Sequence, residues 1–157
     1  MARSVSKQVV IPDMAALDAL AAKIAARLRG GETLELLADL GGGKTAFTRC
    51  LAKHLRSEDA AASPSFTIEN IYRCQNFDIH HFDFYRLEDP GVCAFELQEA
   101  LADPDKLVIV EWSRIVADLL PPVRLAVEIA FDPGTGEDSR RFTFKAPAEL
   151  AYLTEDI

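Results

Sequence analysis

The run TLELLADLGGGKTAFTRCLA, residues 33–52, decides how this chain is read. Thr33 to Leu37 suit a largely buried strand. Lys44 to Leu55 read as a helix, with Phe47, Cys50 and Leu51 on one side. Between them lie Gly41, Gly42 and Gly43. Strand, glycine loop, helix is the context that a phosphate-binding loop requires. Consecutive glycines let backbone N–H groups converge on one point, because no Cβ blocks the necessary backbone angles or the close approach. The N-terminus of the following helix adds its positive dipole end. The nucleotide-binding run is therefore Gly41, Gly42, Gly43, Lys44, Thr45 and Ala46, with Lys44 reaching the terminal phosphates and the Thr45 hydroxyl on magnesium.

One position departs from the template G-x-x-x-x-G-K-[ST], which asks for glycine where this chain has Ala38. Alanine there is harmless if φ is negative and costs roughly 1 kcal/mol or more if φ is positive. Even the worse case is small beside a typical stability of about 5–15 kcal/mol. Nucleotide binding is expected to survive it.

The bulk properties fit an ordinary globular domain. A length of 157 residues is enough for one domain with a proper core, and we expect a single domain over residues 1–157. No apolar run approaches the roughly 20 residues of a membrane span, and the N-terminus lacks the apolar segment of a signal peptide. The net charge of −8 opposes autonomous binding to a nucleic-acid backbone, which needs a basic face. Cys50, Cys74 and Cys93 match no zinc spacing and no disulfide framework, so a reducing cytoplasm is the expected location.

Periodicity predicts a strand at Val5 to Ile11, a helix over Met14 to Arg29 capped by Asp13, and strands at Phe66 to Arg73 and Phe77 to Arg86 forming a hairpin. It further predicts a helix over Val92 to Leu101, a buried strand at Lys106 to Trp112, and a second hairpin from Val123 to Phe131 and Arg140 to Lys145. From Ala146 the tail is read as a short helix or a frayed end. These elements predict an α/β fold, a P-loop NTPase-like domain whose central sheet is mixed: parallel core strands plus antiparallel hairpins, flanked by helices.

Three further stretches carry chemistry. KLVIVEW, residues 106–112, ends a buried strand on Glu111, a carboxylate suited to a magnesium-associated site beside the loop. HHFDFYR, residues 80–86, offers Asp83 to position water, accept a proton or assist the metal. On a strand, His80 and His81 face opposite ways and cannot easily chelate together, whereas His81, Asp83 and Tyr85 share a face. SPSFT, residues 63–67, places hydroxyls around a proline in a loop, as segments that sense a terminal phosphate do.

Taken in order, ADLGGGKTAFTRCLA, SPSFTIENIY, HHFDFYRLEDP and VIVEW closely resemble the TsaE family, also called YjeE, from about Pro12 to beyond Trp112. The resemblance implies a small bacterial P-loop ATPase of tRNA threonylcarbamoyladenosine synthesis. It implies that Lys44 and the Gly41 to Gly43 backbone hold the phosphates, that Thr45 and Glu111 bind magnesium, and that Asp83 is the acid essential to hydrolysis. It makes Ser63, Ser65 and Thr67, with His81, Tyr85 and Arg86, switch-like segments, and sets Trp112 beside the nucleotide. The implied cofactors are ATP, leaving as ADP, and magnesium. The implied partners are TsaD, which carries the transfer chemistry, and TsaB, with tRNA met mainly through the complex. The family usually shows G-D-L-G-A-G-K-T, so this chain differs at both Ala38 and Gly42, and Ser65 stands where threonine is common. The same glycine loop also serves a small-molecule kinase or a nucleotide-gated binding module. No arginine-rich lid of the kind a kinase needs is evident.

Overall fold

The computed structural model describes residues 3–39, 41–59, 68–134 and 136–157. Its strands are Val5–Ile11 (β1), Thr33–Leu37 (β2), Glu69–Tyr72 (β3), Asp78–Asp83 (β4), Lys106–Glu111 (β5), Leu125–Phe131 (β6) and Arg140–Ala146 (β7). The helices Met14–Ala25 (α1), Lys44–His54 (α2) and Cys93–Ala102 (α3) lie between them, with 3-10 helices at Ser113–Leu119 and Ala148–Thr154. The strands form one seven-stranded sheet in the order β1-β7-β6-β2-β5-β4-β3. Parallel pairing joins β2 to β5 and β6, and β5 to β4. The two hairpins, β3–β4 and β6–β7, are antiparallel, as is β1 on β7. The mixed α/β sheet read from the sequence is the one observed.

Alternation along the central strands divides the core into two layers. Leu34, Leu36, Ile79, Leu107 and Ile109 belong to the cluster that holds Leu17 and Ile24 of α1 and Phe47 and Leu51 of α2. Phe82, Val108 and Val110 belong instead to the cluster of Leu97 from α3 and Val116 from the first 3-10 helix. Each such side chain contributes about 1.5–3 kcal/mol when fully buried. This double coverage is why β5 reads as a continuous apolar run.

Some element boundaries differ from the sequence reading. Asp13 caps α1 by accepting the Ala16 N–H at 2.8 Å, but the helix ends at Ala25 rather than Arg29. There the backbone tightens, with Leu28 N–H shared between the Ile24 and Ala25 carbonyls. The tail is held down. Ala146 completes β7, Leu150 and Leu153 are buried, and the Lys7 ammonium donates to the Thr154 carbonyl at 2.6 Å. Among the described residues, no helix is long and apolar enough to cross a membrane.

Candidate functional site

The parallel strands β2, β4 and β5 end on the same edge, and the glycine loop leaves β2 there. Such carboxyl ends are where open α/β sheets take ligands. Gly41 (φ 76°) and Gly43 (φ 107°) hold left-handed angles that favour glycine, and Gly43 caps the start of α2. Positive φ among the described non-glycine residues is confined to Arg56 and Trp112. Ala38 therefore sits at negative φ, and its methyl group brings no backbone strain. Gly42 differs from its two neighbours. Its φ is not positive, yet a Cβ there would lie 2.8 Å from the Ala38 Cβ and 2.9 Å from the Asp39 carbonyl oxygen. The two departures from the family pattern are thus in contact.

Lys44, the first residue of α2, is buried and turned back over the loop. Its ammonium donates to the Ala38 carbonyl at 3.0 Å, stands 4.2 Å from the centre of the Trp112 ring, and lies 4.0 Å from Glu111 Oε1. Burial pushes the Lys44 pKa down, against the opposing pull of Glu111, Asp83 and Asp39. Thr45 and Ala46 follow in the first turn, half-buried. An α-helix leaves the N–H groups of that turn without intrahelical partners.

Glu111 ends β5 and is only 2% exposed. Its register partner across the parallel pair is Asp83, the last residue of β4. Two carboxylates are thereby set side by side facing one lysine. Burial raises the Asp83 pKa and Glu111 adds to the rise, while the hydrogen bond that Asp83 Oδ1 accepts from Tyr85 N–H at 3.0 Å works against it. The second oxygen of Glu111 bonds His81 Nε2. His80 faces away and bonds Glu69 at 3.0 Å. The structure thus brings Lys44, Asp83, Glu111 and His81 together.

Tyr85 and Arg86 lie beyond the end of β4, both exposed. Strand geometry to Arg86 was expected, but the chain turns after Asp83, whose side chain captures the Tyr85 N–H. The Tyr85 ring then rests 4.7 Å from the Trp112 ring. Ser63, Ser65 and Thr67 lie outside the described residues.

A sequence model described as "Threonylcarbamoyl adenosine biosynthesis protein TsaE" matches residues 11–142. The chain belongs to the TsaE family. It is 37% identical over 112 residues to the TsaE protein of Rickettsia felis, an alignment covering 70% of this chain and 64% of that one. With the TsaE protein of Bacillus subtilis it shares 35% over 128 residues, covering 82% and 78% of the two chains. The chain thus spans a little under two thirds of the length of the Rickettsia felis relative. The crystal structure of Bacillus subtilis YdiB superposes with a TM-score of 0.74 at 29% identity, covering 99% of this chain and 95% of that one. The family is one of tRNA threonylcarbamoyladenosine biosynthesis.

Sequence reasoning named Trp112 but passed over the residues that hold its turn, Glu35, Ser113 and Arg124. Trp112 takes a left-handed backbone (φ 53°, ψ 52°) at the turn out of β5. Such a conformation costs a non-glycine residue roughly 1–2 kcal/mol. The next residue pins that turn: Ser113 Oγ donates to Glu35 Oε2 at 2.7 Å, and Arg124 Nε donates to Glu35 Oε1 at 3.2 Å. Glu35 is 7% exposed, on the sheet face opposite Glu111. An acid in the middle of the buried strand TLELL was the signal available for it. Two clefts open onto Gly42. One of about 650 Å³ runs past Trp112 and Phe131, and one of about 300 Å³ lies between Met14, Leu17, Ala46 and Phe142.

Proposed function

We propose that this TsaE-family chain binds magnesium-ATP at the glycine loop and hydrolyses it within a cytoplasmic complex with TsaB and TsaD. On this reading tRNA is met mainly through those partners, and the transfer of threonylcarbamoyl belongs to TsaD. The observation that carries it is the convergence of Lys44 and Glu111, 4.0 Å apart beside the loop, with Asp83 in register next to Glu111.

The donors suit magnesium, which prefers hard oxygen ligands and keeps several waters. The Thr45 hydroxyl and Oε1 of Glu111 would hold it, and it would supply positive charge to neutralise the phosphates. Each protein group then has a defined task. Loop and helix N–H groups orient the phosphates. Lys44 exchanges the Ala38 carbonyl for a terminal phosphate oxygen, an exchange eased because burial already disfavours its bare charge. Asp83, whose pKa burial raises, orients the attacking water and takes its proton as the new P–O bond forms and the bridging oxygen leaves with ADP. The smaller cleft, which touches Ala46 as well as Gly43, receives the nucleoside.

The test is magnesium-dependent ATP hydrolysis by the wild type with TsaB and TsaD, compared with Lys44→Ala and Glu111→Ala. Both variants should lose turnover. Undiminished hydrolysis in both would remove the assignment.

A further inference from the structure

Glu111 is held by a hydrogen-bond chain that begins at the edge of the sheet. Asn70 Nδ2 donates to Tyr72 Oη at 3.5 Å, Tyr72 Oη lies 3.4 Å from His81 Nδ1, and His81 Nε2 bonds Glu111 Oε2. A carboxylate only accepts, so the proton between His81 and Glu111 belongs to Nε2. The other ring nitrogen, Nδ1, faces the Tyr72 hydroxyl. His81 is 0% exposed and Tyr72 3%, so water does not compete for these bonds.

The consequence lies in how the two oxygens of Glu111 are divided. Oε2 is committed to His81, while Oε1 faces Lys44 and the glycine loop. Without the histidine, the carboxylate is free to rotate, or to turn both oxygens on Lys44. We propose that His81 is a positioning residue for Glu111. It fixes the carboxylate so that a single oxygen is offered to the magnesium side of the site, and the Tyr72 hydroxyl against Nδ1 steadies the ring. The inference rests on the reading of Glu111 as a magnesium-side carboxylate. It gives the histidine of HHFDFYR a task distinct from a phosphate-sensing switch: it ties β4 to the end of β5.

The experiment measures manganese(II) binding to the ADP complex by electron paramagnetic resonance, alongside metal-free ADP affinity by calorimetry. The variants are Glu111→Gln, His81→Phe, His81→Gln and Tyr72→Phe. Groups that orient a metal ligand typically govern metal affinity by about tenfold or more. His81→Phe and Glu111→Gln should each weaken manganese to that extent, and His81→Phe, which keeps the Glu111 charge, should do so with metal-free ADP affinity unchanged. His81→Gln, whose side-chain N–H reaches the place of Nε2, should recover most of it. Wild-type manganese affinity in His81→Phe beside a weakened Glu111→Gln would overturn the role of His81 and leave that of Glu111 standing. Wild-type affinity in Glu111→Gln would overturn the metal reading beneath it. Loss in both histidine variants without recovery by glutamine would mark His81 as a packing residue and overturn the proposal. Should His81→Phe not fold, Tyr72→Phe carries the test, since it keeps the ring and removes only the hydroxyl. Weakened manganese binding there supports the chain, and wild-type binding overturns it.

Discussion

The methyl group of Ala38 stands 2.8 Å from the point at which a side chain on Gly42 would begin. Relative to the G-D-L-G-A-G-K-T pattern, this chain has alanine where glycine is usual and glycine where alanine is usual, and the geometry couples the two exchanges. Gly42→Ala alone should destabilise the protein by about 1–3 kcal/mol, as overpacking does. Ala38→Gly alone should cost under about 1 kcal/mol, chiefly through added backbone freedom. The double variant should be more stable than the sum predicts by about 0.5 kcal/mol or more. The Asp39 carbonyl, 2.9 Å from the same point, limits that recovery. Urea denaturation of the four proteins checks this, and strict additivity would contradict it.

Asp83 should destabilise the nucleotide-free fold at neutral pH. The fold binds its proton more tightly than the unfolded chain does, because burial raises its pKa. Its favourable contribution is therefore complete below the unfolded carboxylate value of about 3.9 and is lost as pH rises through the higher folded value. Asn, always neutral, keeps an oxygen for the Tyr85 N–H and avoids that loss. Asp83→Asn should melt higher than the wild type at pH 7, converge with it as pH falls into the acid range, and lose hydrolysis. A variant less stable than the wild type at pH 7 would refute the sign.

Trp112 is the sole tryptophan, and the Lys44 ammonium lies 4.2 Å from its ring centre. Movement of Lys44 onto a phosphate removes that charge from the indole. Titration with ADP should therefore change the fluorescence of the wild type. Lys44→Met should show altered emission when free and no further response to ADP. An ADP response of wild-type size in Lys44→Met would contradict the proposed movement.

Glu35 should matter more than a lone strand acid suggests. Glu35→Ala leaves the Ser113 hydroxyl without its partner and removes the ion pair of Arg124, and loss of a charged hydrogen-bond acceptor of this kind costs about 2 kcal/mol. Because Ser113 follows Trp112, the variant should also change the free-state emission of the indole. Guanidinium unfolding and an emission spectrum measure both effects. Glu35→Gln, which keeps an acceptor for Ser113, should be milder in both.

How much of this was legible beforehand follows from the range of each interaction. The glycine loop and Glu111 were readable because their rules are local: left-handed angles at Gly41 and Gly43, a helix start at Lys44, an acid ending an apolar strand. The mixed sheet followed from hairpin signals around residues 73–77 and 132–139. The bond from His81 to Glu111 was not readable. Alternation gives the face of a side chain, while its partner depends on the register of β4 against β5, strands joined through α3. Glu35 was hidden for a related reason, since Ser113 and Arg124 reach it only after the sheet has formed. Tyr85 was misread as strand because its N–H donates to the side chain of Asp83, two residues earlier, and that single bond overrides β propensity there.

The measurement that bears most directly on the central claim is calorimetric binding of ADP with and without magnesium, to the wild type, Lys44→Ala and Glu111→Gln. A charged hydrogen bond to phosphate contributes about 1.5–3 kcal/mol, so Lys44→Ala should bind roughly tenfold or more weakly in either condition. Glu111→Gln should bind at least as tightly as the wild type without magnesium, since it removes a negative charge beside Lys44, and lose the gain that magnesium brings. Wild-type affinity in Lys44→Ala, or a full magnesium gain in Glu111→Gln, would contradict a magnesium-nucleotide site at this loop.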